Sequence, residues 1–463
     1  MSTQVIEDED LEVPIFDKTD QRRVAMATMV GTAVEWYDYF IYATAAGLVF
    51  GQLFFKDAGP TLATILSFFS VGISFLFRPL GAFIAGHMGD QIGRRPMLVI
   101  TLVTMGAATT LIGCLPTYDK WGLMAPVLLL TLRIAQGISA GGEWGGAALM
   151  AVEHAPANKR GFYGAMPQLG VPLGLLMSSA MLALMNILFP GDKFLQWGWR
   201  IPFLFSFVLI IVGFWIRHRV EESPVFTEIS ERKMHTKLPA AKLLRFYFPL
   251  VLLAALVFAG NSASGYMTTG GYIQHYATSS AIGLARGTVL WASTVAGVTW
   301  GVSTLLGGWL SDKIGQRNVY LTGWVVQGAG LVALFPLVNT KAAGNLFMAL
   351  VFLTIGLGLT YGPQASWYAE LFPASVRFSG VSISYAFGSI LGGAFAPMIA
   401  AALLNSTGTT RAITFYLLGM AVLGAIATLM LRDRRSINLS PTAELEQRHN
   451  IYVWQHPDKP TGQ

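Results

Sequence analysis

The sequence predicts an all-α membrane protein of twelve transmembrane helices in two pseudo-symmetric six-helix bundles. Three observations predict it. Of the 463 residues, 53% are hydrophobic and 12% charged, about half the charge of a typical soluble domain. Apolar runs of about 20 residues, the length that crosses a bilayer as a helix, recur from one end to the other. A polar loop signature in the first half returns in the second.

The runs begin near residues 24, 61, 96, 122, 161, 199, 246, 287, 318, 345, 379 and 412. They divide the chain into a cytoplasmic tail (1–23), a first bundle (24–216), a cytoplasmic linker (217–244), a second bundle (245–431) and a cytoplasmic tail (432–463). The first run is too long for a signal peptide and is expected to stay in the membrane. The linker is mostly polar and reads as a solvated segment on the membrane surface. The tail beyond Arg435 is polar and expected to be mobile. Of the 31 Lys and Arg, 22 lie in the tails and even-numbered loops and 6 in the odd-numbered loops. That bias places both termini in the cytoplasm.

Composition also excludes whole classes of function. The net charge of +6 is spread over short loops, which argues against a nucleic-acid surface. A single cysteine, Cys114, builds neither a disulfide framework nor a cysteine metal site. The seven histidines fall in loops, tails or segment ends, so proton chemistry at mid-membrane is left to carboxylates. No phosphate-cradling loop, histidine cluster or serine elbow marks an enzyme, and no metal or cofactor is expected.

The repeat reads G-H-M-G-D-Q-I-G-R-R at 86–95 and G-W-L-S-D-K-I-G-Q-R at 308–317, at an offset of 222. A second set, Glu153, Pro156 and Arg160, meets Glu370, Pro373 and Arg377 at an offset of 217. Two related halves are the arrangement of transporters that rock about a midplane site. The first loop resembles the signature of the major facilitator superfamily, G-x-x-x-D-R-x-G-R-R, departing mainly at Gln91. The resemblance implies that such residues latch helix ends on the cytoplasmic side. Asp90, Arg94, Asp312 and Arg317 are therefore assigned to gating, because Asp and Arg at helix ends can pair and complement helix dipoles. Glu153, Arg160, Glu370 and Arg377 join them as the second repeated set. Glu143, near the inner end of run four, is open between gating and packing.

Four charges do not repeat: Glu35 and Asp38 in run one, Arg78 in run two and Arg133 in run four. Positions 78 plus 222 and 133 plus 217 are Trp300 and Leu350, and 250–265 holds no charge. Ionisable groups inside a span cost at least ~2.5–3.5 kcal/mol at a helix centre and default to functional hypotheses. Gly31, Glu35, Asp38 and Tyr42 share one helical face; Arg133, Gln136, Gly137, Ala140 and Trp144 make a stripe on run four. Convergence on one cavity is expected, although a packing cluster of ion pairs is the competing reading. Burial keeps a proton on a carboxylate and a neighbouring arginine drives it off, as proton coupling requires. Asp38 is the first candidate carrier and Glu35 the second. Arg133, with Arg78 behind it, offers a planar fork for an anionic substrate. Gln136, Tyr42, Gln168, Asn261, Tyr266, Tyr361, Gln364 and Trp367 are candidate neutral contacts.

Over nearly its whole length the chain also resembles the metabolite:proton symporters. The runs that carry this are E-W-Y-D-Y at 35–39, F-R-P-L-G at 77–81, R-I-A-Q-G-I-S-A-G-G-E at 133–143, G-W-R-I-P-F at 198–203, E-E-S-P-V-F at 221–226 and E-L-F-P at 370–373. Bacterial shikimate, 2-oxoglutarate, citrate and proline/betaine carriers of the cytoplasmic membrane belong to that group. The resemblance implies a proton-driven importer of a small organic acid working by alternating access; a monomer is the plain expectation, because the two halves already supply both sides of the cavity. Two alternatives stand: a carrier of zwitterions such as proline or betaine, with Trp36 or Tyr266 holding the quaternary nitrogen, and a non-transporting membrane sensor.

Overall fold

The computed structural model describes residues 18–92, 94–141, 143–218, 239–269 and 271–455. Among them everything regular is helical, apart from one isolated bridge between Leu431 and Tyr452. Helix is the expected solution, because inside lipid each backbone donor and acceptor must be satisfied within its own segment.

The long helices of the first bundle are α1 (Lys18–Ala45), α2 (Pro60–Ile92), α3 (Arg94–Cys114), α4 (Met124–Ala140, continuing as Glu143–Glu153), α5 (Arg160–Leu188) and α6 (Arg200–His218). Those of the second are α7 (Phe248–Thr269, continuing as Tyr272–Thr278), α8 (Arg286–Ile314), α9 (Gln316–Val338), α10 (Ala343–Tyr361, continuing as Gln364–Leu371), α11 (Arg377–Gly388, continuing as Ala396–Thr407) and α12 (Arg411–Met430). Ten segments among the described residues are long and apolar enough to cross a membrane, and α3 supplies the shorter apolar stretch Ile100–Cys114. In α1 the polar run around Glu35 and Asp38 interrupts the apolar pattern. The twelve-helix expectation is met with modest shifts: a short helix, Pro239–Phe246, stands ahead of α7. The rest of the linker lies outside the described residues.

The bundles meet along α5 against α8 and along α2 against α11. Among the described residues three wide π turns interrupt the helices: Ala46–Phe50 after α1, Phe194–Gly198 before α6 and Ser389–Ala394 within α11. At the end of α8 the signature glycine of the second repeat, Gly315, takes φ +94°. A side chain would be strained there, so the repeat needs glycine where one helix stops and the next starts.

The tail beyond Arg435 differs from expectation. It is docked up to residue 455: Arg432 and Ile451 share a backbone hydrogen bond, Arg434 donates to the carbonyls of Glu370 and Leu371, and Gln447 accepts from Ala374 N. Polar composition did not leave residues 436–455 without contacts to the bundle. The open helix-end carbonyls and amides of the second bundle give it partners.

Candidate functional site

Asp38 sits at the core of the first bundle, 3% exposed. Its Oδ1 accepts from Ser206 of α6 at 2.6 Å and its Oδ2 from Thr109 of α3 at 3.0 Å. Thr109 also accepts from Gln136 Nε2 at 2.6 Å, and Gln136 Oε1 accepts from Arg133 Nη1 at 2.8 Å. Acid and arginine are thus joined through two neutral side chains. Arg133 spends its other donors on α2: Nε on Ser70 O, Nη2 on Val71 O and on Ser74 Oγ. Its guanidinium lies 3.9 Å from the centre of the Tyr42 ring, and Tyr42 donates to Ser70. Glu35, also buried, lies one turn before Asp38 and is electrostatically coupled to it.

This contact with α2 depends on absent side chains. A Cβ on Gly137 would stand 2.1 Å from Ser74 O, and one on Gly141 would stand 2.1 Å from Arg78 O. Helices α2 and α4 therefore touch backbone to backbone, and α2 carries Arg78 one turn beyond Ser74.

Arg78 contrasts with Arg133. It is buried over the rings of Phe75 at 4.4 Å and Trp36 at 5.6 Å, and among the described residues it makes no ion pair. Its Nε has no hydrogen-bond partner there. Trp36 packs on Phe40, whose ring stands 6.4 Å from Trp300 of the second bundle.

At the centre a small void of about 10 Å³ is lined by Val171, Phe258, Asn261, Ser262, Gly265, Trp300 and Tyr361. That is smaller than the ~300–1,000 Å³ of ordinary ligand pockets. Its wall belongs almost wholly to the second bundle. Trp300 Nε1 and Ser262 Oγ are buried there without hydrogen-bond partners among the described residues. Asn261 is tied to α10 through Thr360 Oγ1 at 2.6 Å and Leu357 O at 3.2 Å. Thr360 in turn donates to Gln327 of α9.

A belt of contacts closes the centre toward the face that carries the tail. Trp144 and Tyr385 stack at 3.8 Å, Tyr385 stacks on Phe258 at 4.3 Å, and Trp144 donates to Gln168. Gln168 reaches across to Tyr361 O and Gln364. Beyond the belt the repeated charges meet reciprocally: Arg160 with Glu370 at 3.3 Å, Arg377 with Glu153 at 3.6 Å. Asp312 accepts from the backbone of Gly161 and Phe162, bridging α8 to the first turn of α5. On the opposite face His275 bonds Gly47 O and Phe69 stacks on Phe395. Contacts thus cross between the bundles on both sides of the centre.

Of the predicted residues, Glu35, Asp38, Tyr42, Arg78, Arg133 and Gln136 gather in the first bundle, and Asn261 and Tyr361 line the cavity. Gln168 and Gln364 join the belt. Trp367 is elsewhere: its indole donates to Arg432 O under the docked tail. Arg317 bonds Leu429 O within its own bundle rather than across the halves. Glu143 is buried at the start of the second part of α4. The side chains of Asp90, Arg94 and Tyr266 lie outside the described residues. Thr109, Ser206, Trp300 and Ser262 were not anticipated. Neutral hydroxyls and an indole carry no signal in a membrane helix, where such residues are commonplace.

A sequence profile of the Major Facilitator Superfamily matches residues 28–389 and 273–459. The inner membrane metabolite transport protein YhjE of Escherichia coli (strain K12) is 40% identical over 90% of this chain and 96% of its own. The shikimate transporter of the same organism is 38% identical over 89% and 94%, and its proline/betaine transporter 31% over 91% and 85%. A solved structure of the proton:xylose symporter XylE superposes with a TM-score of 0.73 at 16% identity, covering 93% of this chain and 99% of that one.

Proposed function

The chain belongs to the major facilitator superfamily as a multi-pass membrane transporter, and within it we propose a proton-coupled importer of a small organic acid of the shikimate kind. The observation that carries the reading is the division of labour between two buried arginines. Arg133 has its donors engaged, whereas Arg78 is buried with its Nε unbonded among the described residues, against the rings that lead through Trp36 and Phe40 to Trp300. A buried cation without an ion-pair partner is costly, and a substrate carboxylate relieves that cost.

Coupling follows from charge balance. With Asp38 and Glu35 ionised, the two acids offset the two arginines. Bringing in an anion alone leaves the low-dielectric core one negative charge in excess, while a proton on Asp38 restores neutrality. Proton and anion thus load together. The Trp300 N–H and Ser262 hydroxyl favour a substrate whose far side carries hydroxyl or carbonyl oxygens. A quaternary ammonium satisfies neither, so the zwitterion reading ranks second; the proline/betaine transporter's likeness to this chain keeps it in the test.

We place both termini on the cytoplasmic side of a bacterial inner membrane, on the Lys and Arg distribution. The working unit is a monomer, since the two bundles supply both walls of the cavity. No cofactor is needed beyond the proton gradient. Proteoliposomes with an internal pH dye test the reading, with shikimate, 2-oxoglutarate, citrate, proline and betaine added one at a time. Acidification with an acid and silence with betaine is the expected result. Acidification with betaine alone overturns the substrate class, and substrate uptake without acidification overturns the coupling.

A further inference from the structure

We infer that Thr109 is the positioning residue that conveys the protonation state of Asp38 to α2 and so to Arg78; this rests on the proposed role of Asp38 as proton carrier. The Thr109 hydroxyl has one hydrogen and two acceptors at equal reach: Asp38 Oδ2 at 3.0 Å and Met105 O at 3.0 Å. With Asp38 ionised the hydrogen points at the carboxylate, a charge-assisted bond. Donating to an anion polarises the hydroxyl oxygen and strengthens the bond it accepts from Gln136, since chains of hydrogen bonds reinforce one another.

When a proton adds to Oδ2, the acid becomes a donor. The Thr109 hydrogen turns to Met105 O, and its oxygen accepts from both Asp38 and Gln136. No proton leaves Thr109 and no hydrogen bond is lost. The reinforcement by an anion is lost, however, and the Gln136 hold on Arg133 slackens with it. Arg133 is fastened to Ser70, Val71 and Ser74 of α2, and α2 touches α4 through Gly137 and Gly141. A change at Arg133 therefore reaches the turn that bears Arg78. The ionisable groups around Asp38 are few. Glu35 and Tyr37 lie on α1 itself, and Arg133 and Arg78 act on neighbouring Tyr39 from α4 and α2. Helices α3 and α6 face Asp38 with Thr109 and Ser206, and α5 carries no ionisable residue between Tyr163 and Leu188.

A test that needs no substrate uses Trp36, whose ring Arg78 overlies. The full chain is labelled with fluorotryptophan in lipid nanodiscs, and the Trp36 fluorine signal is assigned by its loss in Trp36→Phe. The signal is expected to titrate with pH in the unmodified protein, to stop titrating in Asp38→Asn, to lose most of its amplitude in Thr109→Val and to recover in Thr109→Ser. Gln136→Leu breaks the next link and gives the same loss even where Thr109→Val folds poorly. A full-amplitude titration in Thr109→Val or Gln136→Leu overturns the relay alone. A normal titration in Asp38→Asn, or none in the unmodified protein, overturns Asp38 as the group sensed at Trp36, and the relay with it.

Discussion

The middles of the two bundles are built alike and charged differently. In the first, Asp38 of α1 reaches Thr109 of α3, Gln136 of α4 and then Arg133. In the second, Asn261 of α7 reaches Thr360 of α10 and then Gln327 of α9, which donates to Ser264 of α7. The corresponding helices carry a three-way polar link in both cases, with an acid in one and its amide in the other. Trp300 and Leu350 stand where strict repetition of Arg78 and Arg133 would put arginines. The duplicated scaffold therefore needs a polar link but not an ionised one. The charge is a private addition of the first bundle, and the uncharged middle of the second bundle is left to shape the cavity.

The largest expected effect removes that charge. Asp38→Asn is expected to bring uphill accumulation to background while exchange of substrate across the membrane persists, measured as proton flux against counterflow in the same vesicles. Next comes the contrast between the arginines. Arg78→Met is expected to weaken substrate binding by about 10- to 100-fold, the worth of one charge-assisted bond, without lowering thermal stability. Arg133→Met is expected to cost about 3 kcal/mol or more, because it strands several buried acceptors. Melting in detergent and ligand titration separate the two, and a loss of stability in both variants would erase the distinction.

Asn261→Asp asks whether the second bundle accepts an acid. Asn261 donates through Nδ2 to Thr360 and Leu357 O, which a carboxylate does not do. A loss of about 1–3 kcal/mol is expected, with no gain of proton coupling when it is combined with Asp38→Asn. The reciprocal latches are expected to yield smaller, unequal changes. Glu370, with a fully buried side chain, holds Arg160, Gln316 and Ser436, while the Glu153 side chain is 15% exposed. Glu370→Gln should therefore open the tail-bearing face more than Glu153→Gln, read by distance distributions between spin labels on the two bundles. The smallest effect belongs to Trp367→Phe, expected to change substrate affinity less than about twofold, since its hydrogen bond goes to the tail.

Much of this organisation was legible in the sequence because membranes impose simple rules. Length and apolarity delivered the helices, and the offset of 217 singled out Glu153, Arg160, Glu370 and Arg377, which meet in two ion pairs. That they exchange partners across the halves depends on the pseudo-two-fold arrangement, which an offset does not specify. The four private charges were conspicuous because ionised groups are rare in a span. Their neutral partners were not. Thr109 and Ser206 lie 71 and 168 residues from Asp38, and a hydroxyl in a helix ordinarily bonds its own backbone, as Thr109 also does.

The sequence by itself determined the twelve helices, the two related halves and the placing of the four unrepeated charges in the first of them, since each follows from the cost of placing polar groups in lipid. Only the tertiary structure decided which arginine is spent and which is available, where Trp367 points and what the tail covers. Those outcomes depend on which helices touch, and contacts between residues far apart in the chain are set by packing geometry that no local pattern records.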